Sequence, residues 1–401
     1  MNLVLFAHPP FLGLRSQAHF ARMLADAYRQ RGHTVDLRHP HDTLHRRWPA
    51  GRSAKWAGYA DQYLLFPGQM RRAMRHDPPH TLYVFCDQAL GPWVPHAAHR
   101  PHVVHCHDLL ALRSALGEVP ENPTSATGRI YQRYIRRGFG HARHFISISD
   151  QTRADLHRVG GVSPLTSARV YNGLNHPYQP MDAAAARLAL RQAGVQLPLD
   201  GHLLHVGGGQ WYKNAVGVLA LYAAYVHAEM LAGTAALPLW MVSPAPDTAL
   251  REAVARVPAA GRVHFVPGLS PDALQASYSL ASALLFPSLA EGFGWPIVEA
   301  LSCGCPVLTT DEAPMNEVGG DAALYLPRLR GRGDMPAWAR EGAELLRQLL
   351  QGPAAARQER VAAGLRWAAR FRAEAAIDAY LDVYRHVLEI EAPAVDPLLG
   401  A

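Results

Sequence analysis

The sequence predicts an α/β fold of two doubly wound domains, each a parallel sheet covered by helices. The chain has 401 residues, more than one ordinary hydrophobic core contains. Short apolar runs alternate with segments of helical periodicity, once over residues 1–172 and again from residue 173 onwards. Several of these runs end in glycine-containing loops that lead into a helix, as expected for βαβ units.

In the first half, apolar runs bounded by turn residues predict a series of strands. They are Asn2–Ala7, Thr34–Arg38, Thr81–Cys86, His102–Cys106, His144–Ser149 and Arg169–Tyr171. A helix is predicted over Ser16–Arg31, with Ser16 as its N-cap and Gly32 as its stop. Residues 39–80 show no regular pattern, so they receive no assignment.

The second half repeats the alternation. Its predicted strands are His202–Val206, Leu239–Val242, Val263–Val266, Ala283–Pro287 and Pro306–Thr310. Between the halves, Asn172-Gly173 followed by Pro177 forms a turn cluster, which predicts a domain boundary. The tail, about 336–391, is rich in Ala, Arg and Glu and is predicted to be helical.

The composition is that of a globular, soluble protein, with 49% apolar and 18% charged residues. There is no run of eighteen apolar residues, which argues against a membrane-spanning helix. The N-terminus lacks the basic region and cleavage pattern of a signal peptide, so it is interpreted as a first strand. The cysteines at positions 86, 106, 303 and 305 have no disulfide-framework spacing, and they suit a reducing cytosol.

Charge is shared unevenly between the two halves. Residues 1–180 contain 22 Lys and Arg against 11 Asp and Glu, whereas residues 181–401 contain 17 against 22. The basic front half therefore predicts an anionic partner. Four arginines recur at helical spacing beside apolar and aromatic residues: Arg129, Arg133, Arg136 and Arg137. This stripe is either a solvated helix face or a surface for an anionic membrane or lipid-diphosphate acceptor; no nucleic-acid module accompanies it.

The segment 284–301 combines a buried strand, a glycine-rich loop, a helix start and two carboxylates. Gly292 and Gly294 allow close approach of the backbone to a ligand. Glu291 lies at the carboxyl end of the predicted strand, where open α/β sheets bind ligands, and Glu299 follows in the first helical turn. A glutamate near a helix start is also favourable without any ligand, because it opposes the macrodipole.

A second glycine cluster, Gly207-Gly208-Gly209, follows the strand that ends at Val206. Glycines between a strand and a helix expose backbone N–H groups that can hold phosphate oxygens, and Lys213 adds a positive charge suited to a diphosphate. Glycine-rich turns without ligands are also common. Lys213 and Lys55 are the two lysines of the sequence.

The run His105-Cys106-His107-Asp108 ends a strand in the first half. Strand alternation places His105 and His107 on the same side. Two interpretations of this run are possible from the sequence: a metal site, or a pair of core histidines with satisfied hydrogen bonds. The loop 8–16 follows another strand, and it is either a ligand loop or a plain connection. Ser147–Asp150 has a strand-then-capped-helix pattern of architectural type, with Arg153 as a candidate anion contact.

Taken together, these strings resemble glycosyltransferase family 4, the retaining nucleotide-sugar glycosyltransferases with a glutamate-seven-residues-glutamate signature. The resemblance rests on Glu291-Gly292-Phe293-Gly294-Trp295, on Glu299, and on Gly304-Cys305-Pro306-Val307. It extends over roughly residues 100–325. It implies the GT-B architecture, with Rossmann-like domains over 1–172 and 173–369 facing a central cleft, and a helix at 370–391 crossing back to the first domain.

The resemblance also implies roles for individual residues. Glu291 would bind the hydroxyls of the donor sugar, Glu299 the ribose hydroxyls, and His107 the sugar near its anomeric carbon. Lys213 would hold the diphosphate; Gly209 and Gln210 stand where the family commonly has a further arginine, so the source of a second cation is open. The remaining expected nucleotide-sugar contacts are Gly208, Gly209, Val266, Pro267, Gly292, Phe293, Gly294 and Trp295. On the acceptor side, the weakly matching N-terminal loop contributes Gly13 and Arg15.

The implied function is transfer of a hexose, with mannose favoured, from a GDP- or UDP-sugar to a glycan or lipid-linked acceptor in surface polysaccharide biosynthesis. The resemblance also implies retention of the anomeric configuration, and no cofactor is expected. No metal ion is expected, because the sequence contains no Asp-x-Asp motif. A cytoplasmic location is expected, at the inner face of the cell membrane if the arginine-rich domain docks there. The competing interpretations are a sugar-nucleotide epimerase, a nucleotide-sugar-binding subunit and a phosphorolytic enzyme.

Overall fold

The computed structural model describes residues 1–13, 15–48, 51–195, 201–207 and 209–392. The side chains of Arg15, Ser16 and Arg52 also lie outside the description. Three sequence predictions therefore fall outside it: the capping side chain of Ser16, the acceptor-side role of the Arg15 side chain, and Gly208.

The chain forms two compact units. The first contains Met1–Gly173 and the C-terminal segment from Ala373, and the second contains Leu174–Arg372. In each unit, six parallel strands form one sheet with helices packed on it. The predicted α/β class with two doubly wound sheets is confirmed.

The first sheet has the strand order β2-β1-β3-β4-β5-β6. Its strands are β1 Asn2–Phe6, β2 Thr34–Arg38, β3 Thr81–Phe85, β4 His102–Cys106, β5 His144–Ser147 and β6 Thr166–Arg169. The sequence placed the last strand at 169–171, too late in the chain. The residues of β6 are half-buried or exposed, so they lack the continuous apolar run that marks the other strands.

Helices connect these strands. They are α1 Arg15–Gln30, α2 Gly51–Ala60, α3 Phe66–Met74, α4 Leu110–Ala115, α5 Ala126–Phe139, α6 Asp150–Val159 and the C-terminal α15 Ala373–Ile390. The unassigned stretch 39–80 is largely helical: a π-helical segment, Asp61–Leu65, joins α2 to α3. The wider π turn breaks the 3.6-residue period, which explains why the sequence pattern was unreadable. The capped helix expected after Ser149 is α6, whose Thr152 N–H bonds to the Ser149 hydroxyl.

Helix α15 belongs to the first unit and completes its core. Ile377, Tyr380 and Tyr384 are buried in the cluster that also contains Leu24 and Tyr28 of α1. The hydroxyl groups of Tyr28 and Tyr384 are 3.1 Å apart. The C-terminal helix is therefore part of the hydrophobic core that supports the strands of the first sheet.

The second sheet has the order β12-β11-β10-β7-β8-β9. Its strands are β7 His202–Val206, β8 Leu239–Val242, β9 Val263–Val266, β10 Ala281–Phe286, β11 Val307–Thr310 and β12 Leu324–Leu326. The helices are α7 Ala183–Gln192, α8 Ala215–Ala232, α9 Thr248–Val254, α10 Pro271–Leu280, α11 Trp295–Ser302, α12 Met315–Gly319, α13 Met335–Gln351 and α14 Ala354–Ala368. Strand β12 was not predicted, because three residues are too short for a readable pattern.

One helical stretch, Trp211–Ala232, is long and apolar enough to cross a membrane by length and composition. The sequence-based argument against any such helix was therefore too strong. Within this stretch, Val218, Leu221 and Tyr222 of α8 are fully buried in the core cluster that includes Leu203 of β7. The apolar composition of α8 follows from its position as a core helix of the second unit.

All four cysteines are free and buried. Cys303 and Cys305 are buried in the turn between α11 and β11.

Candidate functional site

The strand order of the second sheet reverses between β7 and β10, which are hydrogen-bonded neighbours. Such a reversal leaves a crevice at the carboxyl ends of the two strands, where open α/β sheets bind ligands. The loop 207–214 follows β7, and the loop 287–294 follows β10. Both loops that the sequence singled out thus border the same switch point.

Lys213 and Glu291 meet across this switch point. The ammonium nitrogen of Lys213 donates to Oε1 of Glu291 at 2.8 Å, although the residues are 78 positions apart. Their side chains are 13% and 8% exposed. The same nitrogen lies 4.5 Å from the centroid of the Phe286 ring. The pair is therefore largely shielded from water, and each charge depends on the other for compensation.

Two further contacts fix the separation of the loops. The side-chain amide of Asn214 donates to the carbonyl of Pro287 at 2.9 Å, and the backbone N–H of Leu289 donates to the carbonyl of Tyr212 at 2.7 Å. Asn214 has φ 55°, a left-handed conformation that asparagine tolerates better than most residues. Sequence reasoning did not select Asn214. Its place between a glycine loop and a helix start was the available signal.

His205 lies beneath the glycine loop. Its Nδ1–H donates to the carbonyl of Leu285 at 2.9 Å, and burial lowers the pKa of His205 to about 4, so the ring is neutral. A Cβ at position 207 would lie 2.8 Å from Nε2 of His205 and 3.2 Å from Cβ of Lys213. Glycine at 207 is therefore required for the close packing of Lys213 over the strand.

A pocket of about 230 Å³ opens beside Lys213. Gly207, Gly209 and Lys213 line one side, and Ser243 and Asp247 of the segment after β8 line the other. Gly209 has φ 83°, in the left-handed region that favours glycine. The pocket therefore combines backbone groups of the glycine loop with the motif ammonium.

The loop before α11 is held by packing as well as by its glycines. Gly294 has φ 99° and precedes the first residue of the helix, Trp295. Phe293 is buried, and its ring contacts those of Trp295 and Phe371 with centroid distances of 5.7 and 5.8 Å. The Phe293 side chain therefore anchors the loop. Any ligand contact of Phe293 would come from its backbone.

Glu299 lies in the second turn of α11 and not in the first, as the sequence suggested, because the helix begins at Trp295. Its carboxylate is buried, and the Tyr278 hydroxyl donates to Oε2 at 2.9 Å. Burial raises the pKa of Glu299 to about 7, against the lowering effects of the Tyr278 hydrogen bond and the Lys213 charge. Sequence reasoning missed Tyr278, whose helical context carries no motif.

Other predicted contacts lie at the same edge of the second sheet. Val266 ends β9, which is separated from β7 by β8, and Pro267 follows it in an exposed position. The N–H of Ser243 donates to the Val266 carbonyl at 3.2 Å. The pocket beside Lys213 includes Ser243 but neither Val266 nor Pro267 in its lining.

The first sheet has its own reversal, between β1 and β3. There, Nε2 of His8 lies 3.2 Å from the carboxylate of Asp87, without hydrogen-bond alignment. Burial would raise the pKa of Asp87, but His8, His107 and the Ala89 N–H together hold it below its usual value. Sequence reasoning did not select this pair. The available signal was that each residue lies two positions after the end of a strand that borders the reversal.

His107 lies at the carboxyl end of β4 in the first unit. Its ring bonds to the carbonyl of Cys86 at 2.8 Å and makes an edge contact with Phe20, with centroids 4.6 Å apart. His105 also contacts Phe20, so the expected common side is confirmed. His105 is fully buried and bonds to the Tyr384 hydroxyl at 2.7 Å, and burial lowers its pKa to about 3. It is a core histidine with one hydrogen-bonded nitrogen, since its buried Nδ1 has no hydrogen-bond partner among the described residues.

In the described parts of the chain, no group of three or more His, Cys, Asp and Glu side chains could hold a metal ion. Gly13, expected on the acceptor side, ends a short 3₁₀ turn with φ 67°. Arg153 donates to the Ser167 hydroxyl at 3.3 Å.

Comparison with known proteins assigns the family. Residues 16–173 match the family model described as glycosyl transferase 4-like domain, and residues 200–348 match that of glycosyl transferases group 1. Together the two matches cover more than half of the chain. The chain belongs to the glycosyltransferases of the GT4 type, as the sequence motifs predicted.

Solved structures agree on the fold. Sucrose-phosphate synthase of Thermosynechococcus elongatus has a TM-score of 0.71 over 97% of this chain and 100% of that one, at 18% identity. HepE of Anabaena, solved with UDP and glucose, has a TM-score of 0.66 over 96% of this chain and 100% of that one, at 15% identity. The fold is GT-B, as predicted.

Among curated relatives, O-antigen chain mannosyltransferase B of Escherichia coli is 25% identical over 58% of this chain and 59% of that protein. D-inositol 3-phosphate glycosyltransferase of Streptomyces bingchenggensis is 26% identical over 67% of this chain and 64% of that protein. The chain therefore spans less than two thirds of the length of these relatives.

Proposed function

We propose that the protein is a retaining hexosyltransferase, with mannose favoured, that uses a nucleoside diphosphate sugar and a glycan or lipid-linked acceptor in surface polysaccharide biosynthesis. The contact of Lys213 with Glu291 carries the proposal. It sets a cation and a carboxylate side by side at the switch point of the second sheet, so that a charged phosphate and a sugar hydroxyl can be bound together.

The pocket beside Lys213 suits one part of such a donor. Complete small-molecule sites usually occupy about 300–1,000 Å³, whereas this pocket has about 230 Å³. Its glycine backbone and ammonium group are the chemistry that a diphosphate requires. The favoured sugar follows from relatives whose names describe mannosyltransferases of O-antigen chains in Escherichia coli and Salmonella typhimurium.

In the proposed reaction, the bond between the anomeric carbon and the diphosphate oxygen breaks, and its electron pair leaves with the diphosphate. The acceptor hydroxyl oxygen forms the new bond on the same face of the sugar. Its proton passes to the departing phosphate oxygen, so no protein base is consumed. The protein must stabilise the growing negative charge, which is the task assigned to Lys213 and the N–H groups of Gly208 and Gly209. The Gly207 N–H already donates to the Val242 carbonyl at 3.1 Å.

Glu291 has two tasks in this proposal: it accepts hydrogen bonds from donor-sugar hydroxyls, and it keeps Lys213 in position. Glu299 is assigned to the ribose hydroxyls through the carboxylate oxygen that Tyr278 does not occupy. His107 is assigned to the donor sugar near its anomeric carbon. The reaction as proposed uses no cofactor and no metal ion; the sequence contains no Asp-x-Asp motif.

A thermal-shift panel of GDP, UDP, ADP and their sugars tests donor binding. A ligand at one hundred times its dissociation constant adds about 2.7 kcal/mol to the free energy of unfolding. We expect a shift with GDP or UDP and their sugars that is lost in Lys213→Ala. Glu359→Gln, at an exposed position of α14, is the control that should keep the shift. The absence of any shift across the panel would contradict the proposal.

Product analysis separates transfer from the competing activities. Transfer releases nucleoside diphosphate only when an acceptor is present and yields a glycoside of unchanged anomeric configuration. Consumption of the nucleotide sugar without acceptor would indicate an epimerase. A requirement for orthophosphate would indicate a phosphorolytic enzyme. Tight binding without turnover on any acceptor would indicate a binding subunit.

A further inference from the structure

A groove of about 1100 Å³ runs between α2, with its π-helical extension, and α5 in the first unit. This aromatic groove is lined mainly by Trp56, Tyr59, Tyr63, Leu64, Tyr131 and Tyr134. Every one of these residues belongs to the first unit, and none belongs to the proposed donor site.

Large apolar side chains project from the aromatic groove and its border. Trp56 is 70% exposed, Leu64 is 76% exposed, and Ile130 of α5 is 62% exposed. Single exposed apolar residues are ordinary, but three large ones around one groove form a contiguous apolar surface. Such a surface is typical of a contact site for an apolar partner.

The floor of the groove is rigidly attached to the core. The rings of Tyr59 and Tyr131 are stacked with a centroid distance of 5.7 Å, and the hydroxyls of Tyr63 and Tyr131 are 2.6 Å apart. The Trp93 indole N–H donates to the carbonyl of Gln62, in the π-helical segment, at 2.8 Å. The groove is thus preformed, so its side chains lose little further conformational entropy when a partner binds.

The surroundings of the groove are basic. Residues 51–75 and 122–139 contain nine Lys and Arg residues and a single acidic residue, Asp61. Asp61 is 1% exposed and accepts the N–H groups of Leu44 and His45, so its charge is used inside the fold.

Four of the basic residues, called the basic rim below, are exposed. Lys55 lines the groove, and Arg129, Arg133 and Arg137 lie on α5, the helix that forms one wall of the groove. Over the stretches of chain that the structure describes, no carboxylate lies within ion-pair distance of these four side chains. The rim therefore presents uncompensated positive charge beside an apolar surface.

We infer that the aromatic groove and its basic rim dock on a bilayer of anionic phospholipids. Tyr and Trp rings are enriched at the membrane–water interface, apolar side chains enter the acyl boundary, and Lys and Arg are attracted by anionic headgroups. A nucleic acid would account for the charge but not for Leu64 and Ile130. A neutral glycan would account for the rings but not for the excess of exposed positive charge.

This docking holds the first unit at a membrane surface whether or not the proposed transfer reaction is correct. The test needs neither donor nor acceptor, so its failure is separate from failure of the proposed function. The measurement is co-sedimentation of the protein with vesicles of equal parts phosphatidylglycerol and phosphatidylcholine, compared with vesicles of phosphatidylcholine alone. We expect binding to the anionic vesicles that weakens as salt is added, and little binding to the neutral ones.

Two double variants separate the electrostatic and apolar contributions. The change Arg129→Gln with Arg133→Gln should lower the partition coefficient about 25-fold at low salt, since each basic residue near an anionic surface contributes about fivefold. The change Leu64→Ser with Ile130→Ser should lower it at least about tenfold at any salt concentration, because apolar burial is not screened.

Two single variants provide controls. Leu188→Ser, at a 55% exposed position of α7, should leave vesicle binding unchanged. Leu231→Ser changes a 78% exposed residue at the end of α8, the helix apolar enough to contact a membrane by itself. Loss of vesicle binding in this variant, with retention in the groove variants, would overturn the inference in favour of α8.

A quenching experiment covers the case in which the double variants fail to fold. Brominated anionic lipids should quench part of the tryptophan fluorescence of the unchanged protein, and Trp56→Phe should remove that part. No vesicle binding, equal binding to both vesicle types, or a Trp56 signal that responds to soluble mannan or to nucleic acid and not to vesicles would each overturn the inference.

Discussion

Replacing Lys213 by methionine gives the sharpest test of the pair at the switch point. The change removes the charge, keeps most of the side-chain volume over the Phe286 ring, and strands the Glu291 carboxylate at 8% exposure. Breaking a buried ion pair from one side typically costs about 3–5 kcal/mol. We expect a loss of about 3 kcal/mol in the free energy of unfolding, because the pair retains slight access to water.

Glu291→Gln and the double variant Lys213→Met with Glu291→Gln complete a double-mutant cycle, and their expected stabilities differ. Glu291→Gln should cost about 1 kcal/mol, because the amide oxygen can still accept from Lys213 and the cation remains over Phe286. The double variant should return to within about 1 kcal/mol of the unchanged protein, since no buried charge is left without a partner. The coupling energy would then be about 3 kcal/mol, measured by urea unfolding.

Transfer activity should not follow stability. Each single variant and the double variant should lose at least about a hundredfold in kcat/KM, equivalent to about 2.7 kcal/mol of barrier. A double variant that is stable yet inactive would show that the pair serves the reaction and not only the fold. A Lys213→Met protein as stable as the original, or a double variant that regains transfer, would refute the reasoning.

Three further outcomes follow from the same site and from the first unit. Because the pKa of Glu299 rises from 4.5 to about 7 on folding, the native state loses about 3 kcal/mol relative to the unfolded chain as pH rises through that interval. Glu299→Gln should therefore be more stable than the original protein by about that amount at mildly alkaline pH, and similarly stable below pH 4.5. Urea unfolding at both pH values measures this difference. An equal difference in stability at both pH values would show that the raised pKa of Glu299 is not its cause. Gly207→Ala should weaken donor binding about tenfold, because its Cβ would press on Lys213; Gly333→Ala, where nothing lies within 4 Å, is the control in the thermal-shift assay. His107→Ala should lower kcat more than it raises KM for the donor, as expected for a contact that strengthens in the transition state, and a change in KM alone would argue against that role.

The sequence predicted the strands and loops whose signals come from residues close together in the chain. The buried runs at β7 and β10 and the glycines after them were recognisable because continuous apolar segments and glycine turns are short-range signals. The region 39–80 was not readable, since the π-helical turn Asp61–Leu65 shifts the helical register. β12 was missed because Leu324–Leu326 is too short for any period to show.

The sequence by itself determined the fold class, the family motifs and the two loops that border the second switch point. Only the tertiary structure decided that Lys213 and Glu291 form an ion pair and that His8 approaches Asp87. It also decided that Tyr278 hydrogen-bonds to Glu299 and that burial raises the pKa of Glu299. The reason is physical: periodicity and turn chemistry act between near neighbours in the chain, whereas ion pairing and desolvation depend on distances and surroundings that exist only after distant strands have paired.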